Sequence, residues 1–226
     1  MILSILCVTI NKYPSVGGFI EKMYTLAHGL NAEFVLGLDR EKAQKADFRK
    51  LADIALDLKK KDTHMQEDVL DEVIGACSGD WVLRLDDDET ISPALERWIF
   101  GGSYVSGNLF TFPRIYLYPD EKHFLNNPGI FPDLQTRLGR KEFMFGCNYA
   151  HAANPNGSGV TVDYAIEHHN LLVKDLAERR IIAAKCEAIQ PGAGTLPQYA
   201  RYNLPEDFYP DFEIQEYTNN GDFSTT

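Results

Sequence analysis

Across roughly the first hundred residues, apolar β-rich runs alternate with segments whose apolar side chains recur every three or four positions, and few topologies satisfy that order. The run from Ile2 to Ile10 is β-branched and mostly apolar, the mark of a strand buried on both faces. Asn11, Pro14 and Ser15 break it. Val16, Phe19, Ile20, Met23, Ala27 and Leu30 then follow helical spacing, and Gly29 and Asn31 end that helix. "EFVLGL", from Glu33, reads as a second strand running into Asp39, the charged stretch 40–51 as helix, and 54–58 as a short third strand. Helical spacing returns at Met65, Val69, Val73 and Ala76, with Leu70, Ile74 and Cys77 beside them, and Ser78-Gly79 closes it. "DWVLRL", from Asp80, is the next strand. Strand, helix, strand in this order implies βαβ units, a mainly parallel sheet and right-handed crossovers. Ligands of such sheets bind at the carboxyl ends of the strands. Asn11, Asp39 and the acids from Asp86 onward all fall at such ends.

The pattern changes after Pro93. Residues 108–118, "NLFTFPRIYLY", are aromatic and β-rich, and 119–160 read as loops with short strands. Val160 to Ile166 is a strand candidate ending at Glu167-His168-His169, and Lys174 to Gln190 a helix stopped by Pro191-Gly192. A chain of 226 residues suits one large α/β domain. With 33 Asp+Glu against 22 Lys+Arg the net charge is −11, which disfavours nucleic acid and anionic membrane as partners. The four cysteines, Cys7, Cys77, Cys147 and Cys186, have no metal-knuckle or redox-pair spacing and read as free thiols of a reducing compartment. The longest apolar run is too short to span a bilayer and lacks the features of a secretion signal, so a cytoplasmic location is expected.

Asp86-Asp87-Asp88-Glu89 follows "WVLRL" directly. Adjacent carboxylates repel, and a chain that gathers them at a strand end is expected to hold a cation there. Oxygen ligands suit Mg²⁺ or Mn²⁺, which take one or two carboxylates plus substrate phosphates. Alternation directs Asp86 and Asp88 to one side and Asp87 to the other. The plainer reading is a solvated turn, or caps for the helix opening at Ser92-Pro93. The apolar strand before the acids and the helix start after them favour a metal–diphosphate site.

"GDWVLRLDDDETISPAL" resembles the D-x-D segment of family 2 glycosyltransferases. "ILSILCVTINKYPS" and "FVLGLD" resemble the same family's opening, over residues 2 to 100. "FPDLQTRLGRK" and "IEHHNLLVKDLAERRIIAAK" resemble its acceptor-side segments more loosely. The resemblance implies a GT-A fold, with residues 1–100 as the nucleotide-sugar-binding half, 101–197 as the acceptor-side half and 198–226 as a tail. It implies a metal-dependent, inverting transfer of a sugar from a nucleotide diphosphate, UDP by default, to a glycan or other hydroxyl acceptor. Thr9, Asn11, Asp39, Asp86 and Asp87 then fall at nucleotide-contacting positions. Asp88 falls at the metal, with Glu89 behind it.

An inverting transfer needs a carboxylate base, and Asp133 of "FPDLQTRL" is the candidate. The His-Glu pair common in the family is represented only by His151-Ala152, so the acid there is missing. His168 is the candidate third metal ligand, on Ile166's side of its strand, with His169 on the other side. Arg137 and Arg179 are candidate phosphate clamps, with surface salt bridges the expected role of both. Two rivals stand beside this reading. In a haloacid-dehalogenase-type phosphatase Asp86 is nucleophile, Asp88 acid/base and Thr90 a phosphate contact. In the other, a GT-A domain binds sugar nucleotide without turnover.

Overall fold

The computed structural model describes residues 2–9, 16–39, 48–58, 67–146, 156–157, 159–189, 202, 204 and 212–218. The opening alternation becomes β1 (Leu3–Thr9), α1 (Val16–Gly29), β2 (Glu33–Asp39), β3 (Ile54–Leu58), α2 (Glu67–Ala76) and β4 (Trp81–Asp86). After the acids come β5 (Glu89–Ile91), α3 (Pro93–Phe100), β6 (Leu109–Tyr116), β7 (His123–Leu125) and β8 (Asp133–Arg140). The described chain continues with β9 (Val160–Thr161), β10 (Ile166–His168), α4 (Asn170–Val173), α5 (Leu176–Ile189) and β11 (Ile214–Glu216).

β1 is buried on both faces, as its composition predicts. Leu3, Ile5 and Cys7 join Val16, Ile20, Met23 and Ala27 of α1 in one core. Leu6 and Val8 join Val69, Leu70, Val73 and Ile74 of α2 in a second core across the sheet. Burial pushes the Cys7 thiol well above its ordinary range, with the neighbouring acids adding to the effect, and Cys77 up to about 12. Both are inert structural thiols.

The nine-stranded sheet runs β3-β2-β1-β4-β8-β6-β10-β5, with β9 beside β6. The β3, β2, β1 and β4 pairings are parallel, whereas β8 is antiparallel to both β4 and β6. β10 runs parallel to β6 and antiparallel to β5. Only Asp87 and Asp88 separate β4 from β5, so the two strands lie within about 10 Å of each other along the chain. The path β4-β8-β6-β10-β5 therefore curls back on itself, and the acidic segment sits where it closes. The inward faces of β5, β6, β8 and β10 meet beside that segment.

Several elements differ from the expected ones, each for a local reason. Residues 40–47 lie outside the described residues, and only Phe48–Leu51 of that stretch is seen, as a 3₁₀ turn. The strand expected over 160–166 is split into β9 and β10, which flank Asp163 and Tyr164. The helix expected from Lys174 begins at Leu176 because Asp175 caps it. Asp175 Oδ1 accepts from the Glu178 amide at 2.8 Å, and Glu178 Oε2 accepts from the Asp175 amide at 3.2 Å. Lys174 is left extended between two helices. Ser92 caps α3 as its sequence predicts, its Oγ accepting from the Leu95 amide at 3.2 Å with Pro93 at the first helical position.

Candidate functional site

The four acids are packed inside the curl rather than displayed on a solvated turn. Asp87, Asp88 and Glu89 are buried, Glu89 completely. A buried carboxylate needs a partner, since an unpaired charge in a low-dielectric setting is far costlier than one in water. The chain supplies partners of its own. Arg137 of β8 donates from Nη2 to Asp86 Oδ2 and to Glu89 Oε1, both at 2.8 Å. Arg114 of β6 donates from Nη1 to Glu89 Oε1 at 2.9 Å and from Nε and Nη2 to Asp133 Oδ2 at 2.9 and 2.6 Å. Arg84 reaches Asp86 Oδ1 at 3.3 Å. Lys174 donates to Asp88 Oδ2, and His168 Nε2 lies 3.1 Å from Asp88 Oδ1.

The acids therefore differ in their chemistry. Burial alone would raise Asp86, but Arg137, Arg84 and Arg114 outweigh it and hold the group well below the usual carboxylate range. Burial is likewise overcome at Asp88 by Lys174 and His168. Among the described residues no cation hydrogen-bonds Asp87. Burial and the adjoining Asp88 push it up to about 6, against the charge of Lys174 and a hydrogen bond from Thr9 Oγ1 at 2.6 Å. His168 is pulled down by burial, more than Asp88 can restore, so its imidazole is neutral at physiological pH. A neutral ring bonded to Asp88 through Nε2–H leaves its buried Nδ1 without a partner, as observed.

The expected site residues are thus only partly brought together. Among the described residues Asp86 is held by the arginine cluster and Asp88 by Lys174 and His168. Thr9 is fully buried behind the turn and braces Asp87, so its hydroxyl faces protein. Asp39 ends β2 beside Leu58 of β3, at the expected strand end. Asn11 lies outside the described residues, as do His151 and Ala152. Asp133 opens β8 with its side chain 26% exposed. It accepts from Arg114, from Tyr116 OH at 2.6 Å and from Gln135 Nε2 at 2.7 Å. Those donors, led by Arg114, overcome burial and hold it well below the usual range. Arg137 and Arg179 are buried, not surface pairs. Arg137 is drawn in by Asp86 and Glu89, while two guanidinium nitrogens of Arg179 have no hydrogen-bond partner.

Two cations of this site were not singled out from sequence. Arg114 and Lys174 were missed because a lone cation in "TFPRIY" or "LLVKDL" carries no spacing signal. A separate hydrogen-bonded cluster joins β5 to β10. Thr90 Oγ1 lies 2.8 Å from His169 Nε2 and donates to Glu167 Oε2 at 2.8 Å, and Tyr217 OH donates to Glu167 Oε1 at 2.9 Å. Thr90, Glu167 and His169 border a cavity of about 390 Å³ that is also lined by Lys22, Leu85 and Glu96. Asp86, Asp87 and Asp88 do not line it. Burial, then Lys22, lowers His169 to about 4.

The family resemblance implies a divalent ion, and the donor set can be tested for it. Neighbouring ligands of an octahedral ion, each about 2.1 Å from the metal, stand about 3.0 Å apart. Asp88 Oδ1 and His168 Nε2, at 3.1 Å, have that separation. Among the described residues no group of three or more His, Cys, Asp or Glu is arranged to hold a metal. Asp88 and His168 are the two candidate ligands at this point, and in the structure they are bonded to each other, with Lys174 on the second oxygen of Asp88.

A largely parallel half-sheet, antiparallel strands folded against its edge and an acidic turn where they meet define the GT-A fold of nucleotide-diphospho-sugar transferases. A 1–349 piece of TarS from S. aureus superposes with a TM-score of 0.50 at 9% identity, covering 89% of this chain and 68% of that one. A longer TarS chain superposes with a TM-score of 0.51 at 11% identity, and this chain spans only 41% of its length. At such identities the likeness shows the fold alone. No family profile and no curated protein sequence matches the chain.

Proposed function

We propose that this protein is a glycosyltransferase that moves a sugar from a nucleotide diphosphate to a hydroxyl acceptor, with Mn²⁺ or Mg²⁺ bound at Asp88 and His168. The observation that carries this reading is the buried Asp86–Glu89 segment at the carboxyl end of β4, with Asp88 and His168 at a separation two ligands of one ion can adopt. A bound dication would offset the charge developing on the departing diphosphate. In this reading the chain's own residues prepare the position. Arg114 and Arg137 fix the acidic turn from behind, and Asp39 marks the nucleotide side at the end of β2. UDP is the default donor by family resemblance, and a glycan the default acceptor.

Asp133 is the base of this proposal. It is ionised at neutral pH and partly open to solvent, and an ionised carboxylate can take the acceptor's proton as the oxygen attacks. Its bonds to Arg114, Tyr116 and Gln135 make it a weak base, which favours the second reading, a domain that binds sugar nucleotide without turnover. The phosphatase reading fares worse, because Arg84 and Arg137 engage both oxygens of the proposed nucleophile Asp86.

Thermal-shift measurement with UDP and GDP, with Mn²⁺ or with EDTA, tests the proposal. Stabilisation by one nucleotide that requires Mn²⁺ and disappears in Asp88→Asn is expected. No stabilisation by any nucleotide diphosphate in either condition would overturn it. Asp133→Asn separates the two GT-A readings: loss of turnover by about 10²–10⁴-fold with donor binding intact marks a transferase base.

A further inference from the structure

The cluster that joins β5 to β10 leaves one atom of the His169 ring without a hydrogen bond. Each oxygen of Glu167 accepts a hydroxyl, Oε2 from Thr90 and Oε1 from Tyr217. With its proton directed to Glu167, the Thr90 oxygen can only accept from His169, so the imidazole carries its proton on Nε2. The ring is neutral at physiological pH, and its Nδ1 is a bare acceptor. His169 is only 4% exposed, and Phe19 of α1 packs on the ring with 5.1 Å between centroids. Glu121 Oε1 stands 3.9 Å from Nδ1, beyond hydrogen-bond range, and as another acceptor it cannot satisfy the nitrogen. Such an acceptor destabilises its surroundings until a donor reaches it. The space that His169 borders is the cavity of about 390 Å³, a size within the range of about 300–1,000 Å³ that small ligands occupy.

The lining selects the chemistry of that donor. Glu96, Glu121 and Glu167 outnumber Lys22 and Lys122 around the cavity, which disfavours an anion. Glu89 also borders it, with its charge held by Arg114 and Arg137. A cation at Nδ1 would be repelled by Lys22, which lies close enough to lower His169. A neutral hydroxyl remains, the same donor that already serves both oxygens of Glu167. Met23, Leu26, Leu85, Ile91 and Leu117 add an apolar wall, against which the C–H face of a sugar ring can lie. We propose that this cavity is a second binding site, which takes an uncharged, polyhydroxylated ligand about the size of one sugar ring, with one hydroxyl donating to His169 Nδ1. Among the described residues neither Asp88 nor Asp133 lines the cavity, so its occupancy is independent of the transferase reading.

Long-range ¹H–¹⁵N correlation spectra of the full chain, with ¹⁵N in its histidines and His169 assigned through its backbone neighbours, read both ring nitrogens. The tautomer protonated on Nε2 is expected, and the one protonated on Nδ1 overturns the proposal. Methyl glucoside, methyl galactoside and methyl mannoside, each added at millimolar concentration without nucleotide or metal, are the probes. Hexylamine and inorganic phosphate are the charged comparisons. At least one glycoside should shift Nδ1 saturably. Its affinity should fall about three- to tenfold in His169→Phe, the contribution of one neutral hydrogen bond. If that variant cannot be isolated folded, Leu26→Trp fills the cavity from α1 without removing a polar group, and glycoside binding should then be lost. A shift with hexylamine or phosphate alone overturns the ligand class. No shift with any probe, or glycoside binding that is unchanged in the variants, overturns the site. None of these results bears on Mn²⁺-dependent stabilisation by a nucleotide diphosphate, so failure here leaves the transferase reading standing. A glycoside bound at His169 in a protein that no nucleotide diphosphate stabilises sinks that reading alone.

Discussion

At the residue scale, the most consequential side chain is Arg137, whose single guanidinium serves two buried carboxylates. Arg137→Met removes it with little change in volume and leaves Asp86 and Glu89 short of positive charge. It should cost about 3–5 kcal/mol in denaturant unfolding, the range for a broken buried ion pair. Leu134→Ala, also on β8 but at a side chain 51% exposed, should change stability by less than about 0.5 kcal/mol. Asp87 makes the opposite contribution. Its folded pKa of about 6 lies above the unfolded value of about 3.9, so the folded state binds the proton more tightly. Stability from this group is therefore full below about pH 4 and declines as pH rises through about 6. Asp87→Asn, which keeps an acceptor for Thr9, should raise the melting temperature at pH 7.5 and leave it nearly unchanged at pH 4. A variant less stable at pH 7.5 would refute this account of Asp87.

At the element scale, β5 and α3 present the acidic turn. Ser92→Ala removes the α3 cap and should cost about 1 kcal/mol by thermal or chemical melts. Gly79, in the approach to β4, has no such tolerance. A Cβ there would lie 2.8 Å from both the Ile2 carbonyl oxygen and the Ser4 amide nitrogen, main-chain atoms that cannot yield cheaply. Gly79→Ala should therefore destabilise by about 1–3 kcal/mol. These elements also show how far the sequence could be read. β1, α1, β2, α2 and β4 were legible because each carries a long periodic run, and α3 because Ser92-Pro93 is an unambiguous helix start. The start of α5 was misplaced because Asp175, not Lys174, forms the capping box with Glu178. The strand at 160–166 was taken as continuous because nothing in "VTVDYAI" marks where pairing passes from β9 to β10.

At the scale of the whole molecule, the curl of the sheet converts a run of like charges into a compensated buried network. Asp86, Asp88 and Asp133 have folded pKa values well below their unfolded ones, so each contributes stability above about pH 4 that is lost as pH falls further. Acid unfolding should accordingly begin below about pH 4, and followed by circular dichroism it should move to higher pH in Arg114→Met, which weakens the hold on Glu89 and Asp133. A transition unmoved by that substitution would mean that the network is not what fails in acid. No described helix is long and apolar enough to cross a membrane.

The sequence by itself determined the α/β order, the two-sided burial of β1 and the place of the acidic run at the end of a strand. Periodicity, caps and a family resemblance are local signals, and these features are local or nearly so. Only the tertiary structure decided which cations face which acids. Arg114, Arg137 and Lys174 reach the turn because strand pairing and the closure of the sheet bring them there, and no spacing along the chain records that meeting.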